Sequence, residues 1–204
     1  MKEKQWQTTT RPRRLLAHVE DGASERKLRL LAVACCHRIR DRLTEARWQL
    51  GVEVAERYAD GLCGAEELAA AKAQLYGRFT FGNEGTAVSI CCSVGPRFIP
   101  GEVLAGAGAA ARRPTEKKAQ ADLVRDIFGN PFRPVSFAPE WRTDTAVTLA
   151  RTMYESRDFS AMPILADALQ DAGCDSDEVL QHCRDPQTKH VRGCWVVDLA
   201  LGFS

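Results

Sequence analysis

The chain has 204 residues, enough for one domain with a hydrophobic core or for two small domains. Hydrophobic residues make up 45% of it and charged residues 27%, which is typical of a globular protein and not of a disordered one. The 28 basic and 27 acidic residues leave a net charge of +1, so no bulk attraction to nucleic acid or to an anionic membrane is expected.

The hydropathy pattern predicts a cytoplasmic protein that does not associate with a membrane. Residues 1–14 are polar and basic and lack the apolar core of a signal peptide. The longest uncharged runs, such as Gly85 to Pro96, are shorter than the roughly 20 apolar residues that a transmembrane helix needs. In a reducing compartment the eight cysteines are expected to be thiols or metal ligands and not a disulfide framework.

Residues 1–23 are rich in arginine and threonine and are predicted to form a flexible basic arm. Arg11, Arg13 and Arg14 surround Pro12 and could contact a phosphate group. A solvated terminal segment is the simpler interpretation of the same pattern.

Residues 24–77 are predicted to form an N-terminal helical subdomain. Its first helix follows Ser24, a good N-cap residue, and carries apolar residues at helical spacing as far as Leu43. Two more helices are expected over residues 45–60 and 65–76, and the short links between them favour antiparallel neighbours.

Residues 78–113 are the least regular part of the sequence and are predicted to be either an irregular linker or a buried segment. Thr86 to Val94 is compatible with a buried strand or a buried helix, because periodicity alone does not decide between them. Gly101 to Ala111 consists mostly of small residues and is expected to be a surface loop or linker.

Residues 114–204 are predicted to form a C-terminal helical subdomain. Helices are expected over 114–128 and 144–155, and three short ones follow over 163–172, 175–185 and 190–201. The whole chain is therefore predicted to be mainly α, a bundle-like arrangement of roughly seven to eight short to medium helices with an irregular glycine-rich middle. We expect the subdomains to form one folded unit.

The C-terminal segment holds a candidate set of zinc ligands: Cys174, Cys183, His190 and Cys194. His190 and Cys194 are four residues apart and would share one face of the last predicted helix. Cys35 or Cys36 of the first helix could add a ligand. There is no Cys-x-x-Cys pair, so buried thiols that pack in the core and a redox or catalytic role remain open alternatives.

Three arginines are candidate binding residues: Arg133, Arg184 and Arg192. Asp198 lies between Val197 and Leu199 on an apolar helix face. It is predicted to be a buried partner of an arginine such as Arg192 or Arg133, and this structural pairing is favoured over a catalytic role.

Several sequence motifs resemble those of an uncharacterised family that is abundant in planctomycete-type bacteria. They are LVRDIFGNPFRP, MPILADALQDAGC and HCR…HVRGCWVVDLALG, with SERKLRLLAVACCHRI and VEVAERYADG in the N-terminal half. The resemblance covers most of the chain. In that family the middle is an alanine-rich helical stretch, whereas Thr80 to Ala111 of this chain carries more glycine and β-branched residues. The resemblance implies no activity, substrate or cofactor, although immunity or regulatory roles are suggested for some members.

Three functional hypotheses follow. The first is a non-enzymatic helical interaction or regulatory module with a protein partner, because the sequence lacks a P-loop, an H-E-x-x-H pair and a G-x-S-x-G elbow. The second is a zinc-stabilised domain that binds nucleic acid within a larger bacterial assembly, such as a defence system. The third is a cysteine- or histidine-dependent enzyme, to which the adjacent His182 and Cys183 would contribute.

Overall fold

The computed structural model describes residues 1–75, 82–95 and 99–203. These ranges contain twelve α-helices and no β-strand, so the predicted mainly α class is confirmed with a larger number of helices than expected. The helices are α1 (Glu3–Thr8), α2 (Pro12–Val19), α3 (Glu25–His37), α4 (Ala46–Ala59), α5 (Ala65–Leu75), α6 (Asn83–Cys91), α7 (Pro100–Ala111), α8 (Glu116–Phe128), α9 (Asp144–Ser156), α10 (Met162–Asp171), α11 (Asp177–Arg184) and α12 (Trp195–Leu201). The expected end of the third helix at residues 76–77 lies outside the described ranges.

The N-terminal segment differs from the expected flexible arm, because it forms α1 and α2 and packs on the core. Trp6 is 1% exposed, and Leu15 and Leu16 are also buried. The Arg125 side chain donates a hydrogen bond from Nε to the carbonyl oxygen of Trp6 at 2.9 Å. The few large apolar side chains among the arginines thus provide enough burial to hold this segment in place.

Helix α3 is the central helix of the N-terminal half. It begins where the sequence predicts, with Ser24 Oγ accepting a hydrogen bond from the Lys27 amide at 3.4 Å. Every residue from Arg29 to Cys36 is buried, and α4, α6, α7 and α8 all pack against it. It ends at His37, earlier than predicted, and a 3₁₀ turn over Arg40–Arg42 continues the chain.

The middle of the chain is not a linker within the described ranges: it forms α6 and α7, which pack closely on each other. A Cβ atom on Gly106 would lie 3.1 Å from the carbonyl oxygen of Asn83 and 3.3 Å from the Cβ atom of Ala87. Glycine at this position therefore permits the close approach of the two helices. The small residues of 101–111 serve helix packing, which corrects the expectation of a surface loop.

The buried hydrophobic residues form two clusters. One runs from Trp6 to Ile127 and is surrounded by α1–α8, which we call the N-terminal lobe. The other runs from Trp141 to Ala200 and is surrounded by α9–α12, which we call the C-terminal lobe. Helix α8 belongs to the first cluster, so the boundary between the lobes falls after residue 128 and not at residue 114 as the sequence suggested.

The loop over residues 185–194 replaces the first part of the last predicted helix. Gly193 has a φ of +89°, a left-handed conformation that interrupts a helix and suits glycine. Helix α12 therefore begins at Trp195, with Cys194 as its N-cap residue. Within the described ranges, every helix is too short or too polar to span a lipid bilayer.

Candidate metal centre

Four side chains converge where the two lobes meet: Asp126, His182, His190 and Cys194. Each offers one ligand atom, and the four atoms all lie within 4.8 Å of one another. Asp126 belongs to α8 of the N-terminal lobe, whereas the other three belong to the C-terminal lobe. The group therefore joins the two lobes.

The loop over residues 185–194 is pressed against the N-terminal lobe, which brings His190 and Cys194 to Asp126. A Cβ atom on Gly193 would lie 3.0 Å from Cδ1 of Leu30, so a larger residue has no room at this contact. The backbone amide of Val191 donates a hydrogen bond to Oδ2 of Asp126 at 3.0 Å. This bond orients the carboxylate so that Oδ1 faces the histidines.

The distances within the group approach those between the ligands of one tetrahedral ion. Nε2 of His182 lies 3.2 Å from Sγ of Cys194 and 3.3 Å from Oδ1 of Asp126. Nδ1 of His190 lies 3.7 Å from the same sulfur atom and 2.7 Å from the same oxygen atom. Ligands held tetrahedrally at zinc lie about 3.3–3.7 Å apart. The 2.7 Å contact, a hydrogen bond, would need to widen by about half an ångström, and the 3.2 Å contact between His182 and Cys194 by a few tenths.

The group is almost closed to solvent. The side chains of Asp126 and His190 are 1% and 5% exposed, and that of His182 is 14% exposed. The Trp195 ring lies 5.2 Å from the His182 ring, and the Phe159 ring lies 6.4 Å from that of His190. These aromatic neighbours separate the group from bulk water, which strengthens its electrostatic interactions.

The charges within the group favour a cation. Burial raises the pKa of the Asp126 carboxyl, but hydrogen bonds with His182 and His190 outweigh this effect, so its pKa stays below the usual range. Burial raises the pKa of the Cys194 thiol well above its usual range, and the Asp126 charge raises it further. A metal ion would therefore meet a ready carboxylate and would displace the thiol proton on binding.

The other predicted ligands lie outside this group. Cys174 and Cys183 are buried in the core of the C-terminal lobe. Burial raises the pKa of the Cys183 thiol to about 12. Cys35 and Cys36 are buried in α3, within the core of the N-terminal lobe. All eight cysteines of the chain are free thiols in the structure.

Sequence reasoning did not select Asp126 or His182 as ligands. Asp126 occupies a buried position of α8 between Val124 and Ile127, and a lone carboxylate in an apolar stripe is a signal that could have found it. His182 immediately precedes Cys183, the predicted ligand, on α11, so the two side chains point about 100° apart. Choosing between the two needs the tertiary structure.

The three candidate binding arginines all have partners within the chain. Arg133 is 57% exposed and pairs with Glu178 at 2.8 Å. Arg184 pairs with Asp167 at 2.6 Å. Arg192 is mostly buried and donates from Nε to the carbonyl oxygen of Tyr154 at 2.7 Å, so it contributes to the interior of the protein.

A second polar contact between the lobes involves Asp198. This carboxylate is fully buried and accepts a hydrogen bond from Arg26 of α3 at 2.7 Å. Arg26 also donates to the hydroxyl of Tyr154 at 2.7 Å, and that hydroxyl donates to Asp60. The expected structural ion pair of Asp198 exists, but its partner is Arg26 and not Arg192 or Arg133.

A third polar contact between the lobes is centred on Glu56 of α4. Its carboxylate accepts a hydrogen bond from Arg157 and lies 3.3 Å from Nη1 of Arg192, both from the C-terminal lobe. His37 lies 3.8 Å away. Burial raises the pKa of Glu56, but His37 and the two arginines outweigh burial and lower the pKa to about 2. Charged groups thus form several of the contacts between the lobes, beside the packing of Gly193 on Leu30.

Comparison of the chain with protein-family models, with curated proteins and with solved structures found no match in any of the three.

Proposed function

We propose that the chain is a helical protein-interaction module whose two lobes are fastened together by a zinc ion. The ion would be bound by Asp126, His182, His190 and Cys194. The observation that carries the proposal is the convergence of these four ligand atoms within 4.8 Å at a buried position between the lobes.

The ligand types favour zinc over other common ions. A set of one thiol, two imidazoles and one carboxylate matches the nitrogen, sulfur and oxygen ligands of tetrahedral zinc. Magnesium and calcium prefer sites made of oxygen atoms alone. Copper or nickel would compete with zinc for these ligands in solution, as expected from the Irving–Williams order of metal affinities. The identity of the ion therefore has to be measured on the purified protein.

Four protein ligands favour a structural metal over a catalytic one. A catalytic zinc usually keeps one coordination position open for water or substrate, whereas a structural zinc is closed by four side chains. The raised pKa of the buried Cys183 thiol also disfavours the alternative of a cysteine-dependent enzyme, because the thiolate is the nucleophile.

The position of the group suggests what the metal does. Asp126 is the ligand from the N-terminal lobe, and several of the other polar contacts across the junction are ion pairs such as Arg26–Asp198. Buried ion pairs give little net stability, because desolvation offsets their attraction. A metal ion bound by both lobes would supply the stabilisation that these pairs do not provide.

We infer that the protein is a bacterial cytoplasmic member of the planctomycete-type family. The sequence motifs support the family, and the eight free thiols suit a reducing compartment. Nucleic-acid binding is the alternative role for a zinc-stabilised domain. It is less favoured, because the candidate residue Arg192 is mostly buried and pairs with Glu56 within the chain.

Metal analysis of protein purified without a chelator or a metal-affinity tag tests the proposal. We expect about one zinc ion per chain, together with a fall in melting temperature of about 5–10 °C when the metal is removed. His182→Ala and Cys194→Ser should lose the metal. Cys183→Ser and Cys174→Ser are matched controls and should retain it, because both thiols lie outside the group.

Cobalt substitution provides an independent spectroscopic readout. Cobalt bound by these four ligands should show the intense visible bands of a tetrahedral site with one thiolate, and Cys194→Ser should abolish the thiolate charge-transfer band. Zinc-free wild-type protein with an unchanged melting temperature after metal addition would overturn the proposal.

A further inference from the structure

A groove of about 780 Å³ lies on the N-terminal lobe, apart from the four ligand residues. The beginnings of α2 and α8 form its two sides, and one face of α7 forms its floor. All three helices pack on one another, so the groove is part of the folded core and not a gap between mobile segments.

The floor of the groove consists of small residues. Ala105 and Ala109 are exposed, and Gly108 between them is half-buried. They recur at intervals of three and four residues and therefore share one face of α7. No larger side chain of α7 covers this face between Ala105 and Ala109, so another helix could approach closely and lay an apolar ridge along it.

The rim of the groove is basic. Four cations line it: Arg11, Arg13, Arg113 and Lys117. Glu116 is the acidic residue among the described lining residues, and it is 1% exposed and already bound by Arg38 through two contacts of 2.8 Å. Because the net charge of the whole chain is only +1, this concentration of positive charge is a local property of the groove.

The cations of the rim are available to a ligand. Arg13 pairs with Glu102 at 3.3 Å and Arg113 with Asp41 at 3.0 Å, and both pairs are exposed. Exposed pairs of this kind exchange readily, because each contributes little free energy. In the described part of the chain, the side chains of Arg11 and Lys117 form no ion pair. The N-terminal ends of α2 and α8 add the positive ends of two helix dipoles.

We propose that this groove binds an acidic amphipathic helix of a partner protein. The apolar side of the helix would lie on Ala105, Gly108 and Ala109, and its acidic flanks would pair with the cations of the rim. The face of α7 from Ala105 to its end at Ala111 is about 9 Å long, which corresponds to a contact of about two helical turns. No aromatic side chain lines the described groove, so it lacks the stacking surface that single-stranded nucleic acid uses.

This docking site deepens the proposed interaction function without depending on the zinc ion, because none of the four ligands lines the groove. Failure of the metal experiment would leave the groove unaffected, and failure of the docking experiment would leave the metal site unaffected.

The test uses the full chain and a fluorescein-labelled 14-residue peptide with leucine and alanine on one helical face and glutamate on the flanks. Binding is measured by fluorescence anisotropy at low and high salt. We expect saturable binding that weakens with salt, because screening reduces the attraction between peptide and rim. A scrambled peptide of the same composition, which has no apolar face, should bind at least about tenfold more weakly.

Two double variants with the same change of net charge locate the site. Arg11→Glu/Lys117→Glu reverses two cations of the rim and should weaken peptide binding by about tenfold or more. Arg14→Glu/Lys118→Glu reverses two neighbouring cations that do not line the groove, and it should change binding by less than about twofold. Circular dichroism and the melting temperature establish that both variants are folded.

A steric variant tests the floor separately from the charge. Ala105→Trp places a large side chain at an exposed position of α7, where it should block the peptide without disturbing the core. Equal weakening in the two double variants, equal binding of the scrambled peptide, or no saturable binding would overturn the proposal. Binding of a 20-nucleotide oligo-dT in place of the peptide, lost in the rim variant, would also overturn it and assign the groove to nucleic acid.

Discussion

Nδ1 of His190 lies 2.7 Å from Oδ1 of Asp126, although the two residues are 64 positions apart and belong to different lobes. Asp126 is the member of the candidate metal group that α8 contributes, and His190 is carried by the loop that replaces a predicted helix. The proposed metal binding and the docking of the lobes therefore depend on the same pair of side chains.

Substituting Asp126→Asn should weaken zinc binding by at least about tenfold, because it removes the carboxylate charge while the size of the side chain is kept. A competition titration against a chromophoric zinc chelator measures this affinity. Asp122→Asn lies one turn earlier on the same helix at a partly exposed position, where Asp122 pairs with Lys118 and Arg125, and it should leave the affinity unchanged. Equal affinities for the two variants would contradict the assignment of Asp126 as a ligand.

Glu56 should make the stability of the protein sensitive to acid. Its pKa is lowered from 4.5 to about 2 by His37 and the arginines that face it, in spite of burial. A carboxyl group with a lowered pKa stabilises the folded state above its ordinary pKa, and this contribution is lost as the pH falls from about 5 to about 2. The full contribution is at most about 3 kcal/mol.

Urea unfolding at a series of pH values measures this dependence. Glu56→Gln should be less stable than the wild type at neutral pH, and the difference should shrink as the pH falls through this window. Glu53→Gln, on the exposed face of the same helix, is the matched control and should not alter the slope. A constant difference between Glu56→Gln and the wild type from pH 7 to pH 2 would show that the Glu56 charge has no such role.

The ion pair between Arg26 and Asp198 allows buried and exposed carboxylates to be compared. Asp198→Ala removes the closest anionic partner of the largely buried Arg26 guanidinium and leaves Asp60 at 3.2 Å, which should cost about 1.5–3 kcal/mol of unfolding free energy. Asp167→Ala removes the exposed partner of Arg184 and should cost less than about 1 kcal/mol. Both values can be measured by chemical denaturation, and similar costs for the two variants would contradict the structural role of Asp198.

The sequence predicted helices well where periodicity and capping agreed. Ser24 caps α3 and Gly129 ends α8 as expected, because these residues act through bonds and dihedral angles that are local in the chain. The N-terminal arm was not predicted to be helical, and for Thr86 to Val94 a buried helix was one of two alternatives, beside a buried strand. Trp6 and Gly106 owe their positions to contacts with distant segments, and a single sequence does not record these contacts.

The candidate metal group was only partly accessible to sequence reasoning. His190 and Cys194 were selected because a helix would place them on one face, yet they meet through a loop that turns at Gly193. Asp126 comes from the other lobe, and nothing in local spacing relates it to the C-terminal segment. Ligands contributed by separate lobes become visible only when the lobes are packed.

Gly106 and Gly108, both in α7, should respond in opposite ways to substitution by alanine. Gly108→Ala should stabilise the protein by about 0.5–1 kcal/mol, because alanine favours the helix and its Cβ atom would lie an ordinary 3.5 Å from the Gln120 amide. Gly106→Ala gains the same helix propensity, but its Cβ atom would press on the Asn83 carbonyl oxygen and on Ala87. Overpacking of this kind costs about 1–3 kcal/mol, so the variant should be destabilised. Thermal and urea unfolding measure the stability of the two variants. If α7 packs on α6, the two changes in stability are opposite in sign. A surface loop over residues 101–111 would make the two changes equal and would contradict the prediction.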